Sequence, residues 1–226
     1  MGIGEYSRDL TAVLGQAGAG TTVRKRAYRM LKRAMDVAGG LAGILFALPV
    51  LVLIALLIKL EDPKGGVFFR QTRVGKNGKE FQMYKFRSMV SDAEKRLAEL
   101  LKQNEIKGHM FKMKNDPRIT RVGRVIRKMS LDELPQLWNV VKGNMSLVGP
   151  RPPLPREVKE YTVYHRQRLQ VTPGCTGLWQ VSGRNSLTFE QMVELDLIYI
   201  RNRSIWLDLT LILRTAKEIF ASESAF

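Results

Sequence analysis

The sequence is poor in the residues that build sulfur and imidazole chemistry. One cysteine, Cys175, and two histidines, His109 and His165, occur in 226 residues. A lone cysteine excludes an internal disulfide and a cysteine-rich zinc site, and two histidines are too few for a histidine metal cluster. The cytosol, or a surface facing it, fits that usage. Acidic residues are scarce as well: 21 against 37 basic ones, for a net charge of +16. So basic a chain calls for a polyanionic partner, which can be nucleic acid, an anionic membrane surface or a phosphorylated substrate. Internal repeats are absent. A hydrophobic content of 45% with 26% charged residues excludes large-scale disorder. The residues up to Thr22 are rich in Gly, Ala and Thr and lack periodicity, and they read as a mobile lead-in or as the remnant of a longer protein.

What the chain does have is one long apolar run. Val37 to Ile58 is 22 residues without a charge, and as a helix it reaches about 33 Å, close to the hydrocarbon thickness of a bilayer. The run lies too far in for a simple signal peptide and ends in no cleavage pattern. A soluble domain of this size rarely buries such a helix. Both flanks are basic. Arg24, Lys25, Arg26, Arg29, Lys32 and Arg33 precede it against Asp36 alone. Lys59, Lys64, Arg70, Arg73, Lys76, Lys79, Lys85 and Arg87 follow it against Glu61, Asp62 and Glu80. Basic flanks favour the cytoplasmic face, so a spanning helix would put one cluster on the wrong side. Pro49 resolves the conflict, because a proline removes a backbone bond and breaks a helix. Two half-helices that enter and leave the same face satisfy both flanks; a kinked spanning helix is the alternative. The expected organisation is a lead-in over 1–30, a re-entrant helix-break-helix over 31–60 and a catalytic domain over 61–226.

After Ile58 the pattern is α/β, mostly helical. Turn signals at Gly65-Gly66 and Lys76-Asn77-Gly78-Lys79 bracket Val67–Thr72 and Phe81–Phe86, predicting a small hairpin. Ser91–Lys107 reads as a helix capped by Ser91, and Arg121–Met129 as another. Pro150, Pro152, Pro153 and Pro155 make a stiff extended connector. Phe189–Phe220 is amphipathic and basic, which suits helices at a membrane interface and equally suits core-packing helices.

Five basic residues sit in contexts unlike a solvated charge run: Lys85 and Arg87 around Phe86, Arg127 just before Ser130-Leu131-Asp132-Glu133, Arg151 after Gly149-Pro150, and Arg184 in Ser182-Gly183-Arg184-Asn185. Arginines on short, stiff turns suit a forked hold on phosphate oxygens. The carboxylates Asp132 and Glu133 admit two readings. Ser130 with Glu133 three residues on is a capping-box pattern. Pro135, however, would interrupt the second turn of a helix capped by Ser130. A helix that begins nearer Pro135 leaves both acids in the turn before it, at a positive helix end. Asp is ionised at neutral pH and can serve there as a nucleophile.

Taken in order, these motifs resemble those of the monotopic phosphoglycosyl transferases, also called bacterial sugar transferases or polyprenyl-phosphate hexose-1-phosphate transferases. The likeness runs from about Arg33 to Phe220. It is carried by the Pro-broken apolar segment, Phe68-Phe69-Arg70-Gln71, Lys85-Phe86-Arg87-Ser88-Met89, Asn115-Asp116-Pro117-Arg118, Ser130 to Gln136, Val148-Gly149-Pro150-Arg151-Pro152 and Gly183-Arg184-Asn185. The resemblance implies a re-entrant helix in one leaflet and an α/β domain on the cytoplasmic face of the bacterial inner membrane. It implies Asp132 as the nucleophile on a UDP-sugar, releasing UMP, with undecaprenyl phosphate as the acceptor and Glu133 as the dyad partner. It also implies Mg2+ near Asp132, and phosphate-holding roles for Lys85, Arg87, Arg127, Arg151 and Arg184. Self-association and contact with membrane lipids are compatible with it. One departure stands out: relatives often carry Ser before the helix-break proline, and here it is Leu48. Two rivals remain, a direct transfer in which the acids only hold metal, and a membrane-tethered nucleic-acid binder. The second lacks a groove-entering helix motif.

Overall fold

The computed structural model describes residues 22–93, 95–96, 116–183 and 187–221. It opens with helix α1 (Thr22–Glu61), 40 residues with Pro49 inside. Of its most apolar window only 11% is buried, and Phe46 is 90% exposed. That is no core helix; it is an apolar helix whose middle has little protein cover, and its length is enough to cross a membrane. Where the sequence pattern predicts two half-helices, the structure has one continuous element. Pro49 has no N–H to give the Leu45 carbonyl, yet the helix runs on through it.

Both ends of α1 dock on one body. Near the start, Arg33 donates from both guanidinium nitrogens, 2.7 Å each, to the carbonyls of Val140 and Val141. Asp36 Oδ1 accepts from the Ser146 hydroxyl and the Leu147 amide at 3.0 Å. Near its end, Ile54 and Ile58 are buried with Phe86 and Ile126. Between these contacts Leu45, Phe46, Leu48, Val50, Val52 and Leu53 stay exposed.

The predicted hairpin forms. Strand β1 (Phe68–Val74) pairs antiparallel with β2 (Glu80–Phe86), from Phe68 opposite Phe86 to Val74 opposite Glu80. Asn77 and Gly78 turn it at positive φ, 58° and 77°, which an Asn-Gly pair tolerates. The helix expected from Ser91 is helical at 93 and 95–96, and its remainder lies outside the described residues, as does the lead-in before Thr22.

Helix α2 (Arg121–Lys128) is capped by Thr120. A 3-10 turn, Leu131–Glu133, follows, and then α3 (Gln136–Lys142). Strand β3 (Ser146–Val148) pairs parallel with β4 (Gly174–Thr176). The proline connector is extended up to Leu154 and leads into α4 (Pro155–Lys159) and α5 (Val163–Arg166). Helix α6 (Phe189–Asn202) packs into the core through Val193, Leu195, Leu197 and Tyr199. Helix α7 (Ile205–Ala221) buries Leu207 and Leu211 but leaves Trp206, Leu209 and Leu213 exposed. The two readings of this stretch thus divide between the helices: α6 is core-packed, and α7 keeps an apolar outer face.

Candidate active site

The Asp132–Glu133 pair sits where three pieces of local chemistry meet. Ser130 adopts a left-handed φ of 54° and makes no side-chain cap, so the capping-box reading of Ser130 with Glu133 does not hold. A non-glycine residue pays about 1 kcal/mol or more for that conformation, and such strain collects at functional turns. The turn is held by the Ser130 amide on the Arg127 carbonyl at 3.0 Å. Helix α3 begins only after Pro135, its N-cap. Both acids therefore lie in the preceding turn, as the missing proline N–H requires.

Asn139 ties this turn to the hairpin. Fully buried, it accepts from the Tyr84 amide at 3.0 Å and donates to the Gln82 carbonyl at 2.7 Å. That fixes α3 along β2 and delivers the neighbouring Lys85. Its ammonium donates to Glu133 Oε1 at 2.6 Å. Asp132 is buried, and among the described residues no side-chain donor is bonded to it. Burial pushes the Asp132 carboxyl above its usual range; Lys85 and Arg127 oppose that, and Glu133 adds to it. Glu133 goes the other way: against the cost of desolvation, Lys85, Arg151 and Arg73 hold its carboxyl below its usual range. Two adjacent carboxyls pushed apart are what divided roles require.

Arg127, at the end of α2, donates from Nε to the Ser88 hydroxyl at 2.8 Å. Its charge acts on Asp132 and on Asp116. Asp116 is itself chelated by Arg118 through 2.9 and 2.6 Å bonds, which bring its carboxyl down in spite of burial. Arg151 lies 3.5 Å from Glu157 on a loop knitted by the Gly149 amide to the Thr176 carbonyl and the Gly174 amide to the Pro150 carbonyl. A Cβ on Gly149 would come within 2.6 Å of the Thr172 carbonyl oxygen, so only glycine admits that approach.

Of the basic residues singled out in the sequence, Lys85, Arg127 and Arg151 act electrostatically on the dyad. Arg87 is engaged elsewhere: it bonds the Asp62 carbonyl at 3.1 Å and lies 3.4 Å from the Asp62 carboxylate, holding the loop after α1. Arg184 and Asn115 lie outside the described residues.

Arg73 lies beside the candidate site and was not singled out by sequence reasoning. Buried, it donates to Gln71 Oε1 at 2.7 Å and to the Pro152 carbonyl at 3.0 Å. Burial and the nearby Arg151 bring it down to about 10. The signal was present: strand alternation puts Phe69, Gln71 and Arg73 on one face, an arginine turned inward. Arg73 and Arg151 thus put positive charge on the Glu133 side of the dyad, and Lys85 and Arg127 put it on the Asp132 side, an arrangement suited to attack on a phosphoryl group.

Comparison with known proteins points the same way. The profile of the bacterial sugar transferase family matches residues 27–222. The chain is 46% identical over 202 residues to the galactosyl transferase CpsE of Streptococcus agalactiae, covering 89% of this chain and 44% of that protein. It is 44% identical over 206 residues to the undecaprenyl-phosphate galactose phosphotransferase of Salmonella typhimurium, covering 89% of this chain and 43% of that protein. Against the exopolysaccharide production protein ExoY of Rhizobium meliloti it is 39% identical over 201 residues, 87% of this chain and 88% of that protein. The chain thus spans less than half the length of the first two relatives and most of the third.

Proposed function

Because the chain belongs to the bacterial sugar transferase family, we propose that it moves a sugar-1-phosphate from a UDP-sugar to undecaprenyl phosphate through a covalent intermediate on Asp132. The observation that carries this reading is the Asp132 carboxylate itself, buried and unbonded by any described side chain yet under the charges of Lys85 and Arg127. A carboxylate fully engaged in ion pairs would be a poor nucleophile; this one is bonded by its own backbone amide and by no described side chain. An Asp132 oxygen attacks the β-phosphorus, the bond to the bridging oxygen breaks, and UMP leaves with that electron pair. A phosphate oxygen of the lipid carrier then attacks the same phosphorus, giving a lipid-linked diphosphosugar and returning Asp132 as carboxylate. Lys85, Arg127, Arg151 and Arg73 offset the charge that builds on the phosphoryl oxygens. Glu133, held by Lys85, orients that ammonium beside the reacting carboxylate.

The donor set fits a magnesium ion. Among the described residues there is no group of three or more His, Cys, Asp or Glu that could form an all-protein cage. Mg2+ instead takes one or two carboxylates together with substrate phosphates, and Asp132, with Glu133 beside it, would hold it that way. When bound, the ion would neutralise diphosphate charge.

We place the chain at the cytoplasmic face of the inner membrane, with α1 dipping into one leaflet. In support, Arg33 and Asp36 at one end and Ile58 at the other dock on the same body. A straight span would carry those ends to opposite sides of the bilayer, about 33 Å or more apart. Single cysteines in the Arg24–Arg33 flank and near Lys64, with Cys175 replaced, should both be shielded from a membrane-impermeant thiol reagent in intact cells. Labelling of one flank alone sinks the one-leaflet reading.

The chemistry is tested by rapid quench. UDP-sugar and Mg2+ without lipid should release up to one UMP per site, and intact-mass analysis should find a hexose-phosphate adduct that maps to Asp132. No adduct, with UMP released only when lipid is present, would establish direct transfer instead.

A further inference from the structure

We infer that Glu61, in the last turn of the membrane helix, is a positioning residue for the catalytic turn, acting through α2 on Arg127 and Asp132. The inference rests on the transfer reading of the dyad given above. Glu61 spends both carboxylate oxygens on the start of α2: Oε1 accepts from the Arg121 amide at 2.7 Å and Oε2 from the Val122 amide at 3.0 Å. The Thr120 hydroxyl takes the Gly123 amide at 2.9 Å. Three of the four N–H groups that open a helix are thereby filled, two of them by a side chain from another element. A carboxylate at that pole is also favoured by the helix dipole. The end of α1 and the beginning of α2 are therefore joined at a defined register.

What lies at the other end of α2 makes the joint functional. Arg127 is in its last turn, and the chain runs from there through Ser130 directly into Asp132 and Glu133. The α1 residues Ile54 and Ile58 share a cluster with Phe86, Ile126 and Leu131, neighbours in sequence of Lys85, Arg127 and Asp132 respectively. Little slack exists to absorb a shift. A Cβ on Gly123 would come within 2.0 Å of the Ser88 carbonyl oxygen, and the Ser88 hydroxyl holds Arg127. Close-packed elements of this kind transmit displacement rather than damp it. Glu61 thus passes the seating of the membrane helix to the dyad, and the catalytic geometry is conditional on how α1 lies in the bilayer.

A double-mutant cycle on the full chain in lipid nanodiscs tests this, reading UMP release and lipid-linked product with a panel of UDP-sugars. Glu61→Ala should lower kcat roughly 10-fold while KM for the donor stays within about threefold, the pattern of a misplaced transition-state contact. Glu61→Gln, which keeps one acceptor oxygen, should fall between wild type and Glu61→Ala. Adding Glu61→Ala to Arg127→Ala should cost no more than about twofold beyond Arg127→Ala alone, because both changes act on one contact. Losses that multiply, or an unchanged kcat per folded molecule with a lowered melting temperature, would make Glu61 a stabilising cap only and overturn the inference. If Glu61→Ala does not fold, the same cycle with Glu61→Gln decides by the same criterion. A wild-type chain that releases no UMP with any donor overturns the transfer reading and the inference together; multiplicative losses overturn the inference alone.

Discussion

Two clusters in this molecule use the same residue types to opposite ends. At the junction of α1, β3 and α7, Lys32 lies 3.4 Å from Asp36 and 3.2 Å from Asp208. Tyr28 and Tyr199 donate to the two oxygens of Asp208 at 3.0 and 2.7 Å, and Asp36 Oδ1 alone collects three donors. At the dyad, by contrast, Lys85 is committed to Glu133, and the Asp132 carboxylate is left without a side-chain donor among the described residues. Both Asp132 and Asp208 are pushed up by burial. Burial alone therefore does not separate a structural acid from a reactive one. The side-chain partners differ: Asp208 has donors on both oxygens, whereas Asp132 has none among the described side chains, and on the transfer reading proposed above that open side is where phosphorus would bind.

The sharpest way to break that contrast is to make the same isosteric change in both clusters. Asp132→Asn should abolish turnover, a loss of at least about a thousandfold, with the melting temperature of the solubilised protein unchanged or higher, because a poorly compensated buried charge is removed. Asp208→Asn should do the reverse. An amide NH2 would face the donors now on Asp208, at about 2 kcal/mol, while kcat per folded molecule stays near wild type. A large activity loss in Asp208→Asn, or a large stability loss in Asp132→Asn, would erase the distinction.

A third acid sharpens it with a smaller effect. Asp196 Oδ2 is gripped by Arg168 at 2.7 and 2.6 Å, whereas Asp196 Oδ1 is buried without a partner among the described residues. Burial raises its carboxyl to about 6, against the pull of Arg168. With the folded value above the unfolded one, its contribution to stability is full below about pH 4 and is lost as pH rises through about 6. The melting-temperature margin of wild type over Asp196→Asn should therefore shrink between pH 4 and 6.5 and be flat above. A margin constant across that range would show that Arg168 compensates the charge fully.

Much of the site was legible because its residues are close in sequence. Pro135 alone argued that Asp132 and Glu133 precede the helix, since a missing N–H acts locally. The hairpin followed from Asn77-Gly78 in the same way. Arg73 escaped because an inward arginine on a strand gains its meaning only from Arg151 and the Pro152 carbonyl, 79 residues away along the chain. The contact of Arg87 with Asp62 was out of reach for the same reason: nothing in the motif around Arg87 announces that partner.

The sequence by itself determined the apolar helix, the charge on both its flanks, the hairpin turn and the order of the basic turns, and it narrowed the dyad to two placements between which the structure chose. Each of these depends on neighbours within a few residues, where backbone geometry and hydrophobic run length suffice. Only the tertiary structure decided which arginine faces which acid, that Asn139 pins α3 to the hairpin, and that Arg33 and Glu61 fasten the two ends of α1 to α3 and α2. Those bonds join residues about 50 to 110 positions apart. Whether a lone pair is filled or free depends on which distant donor the packing brings within 3 Å, and no local pattern encodes that.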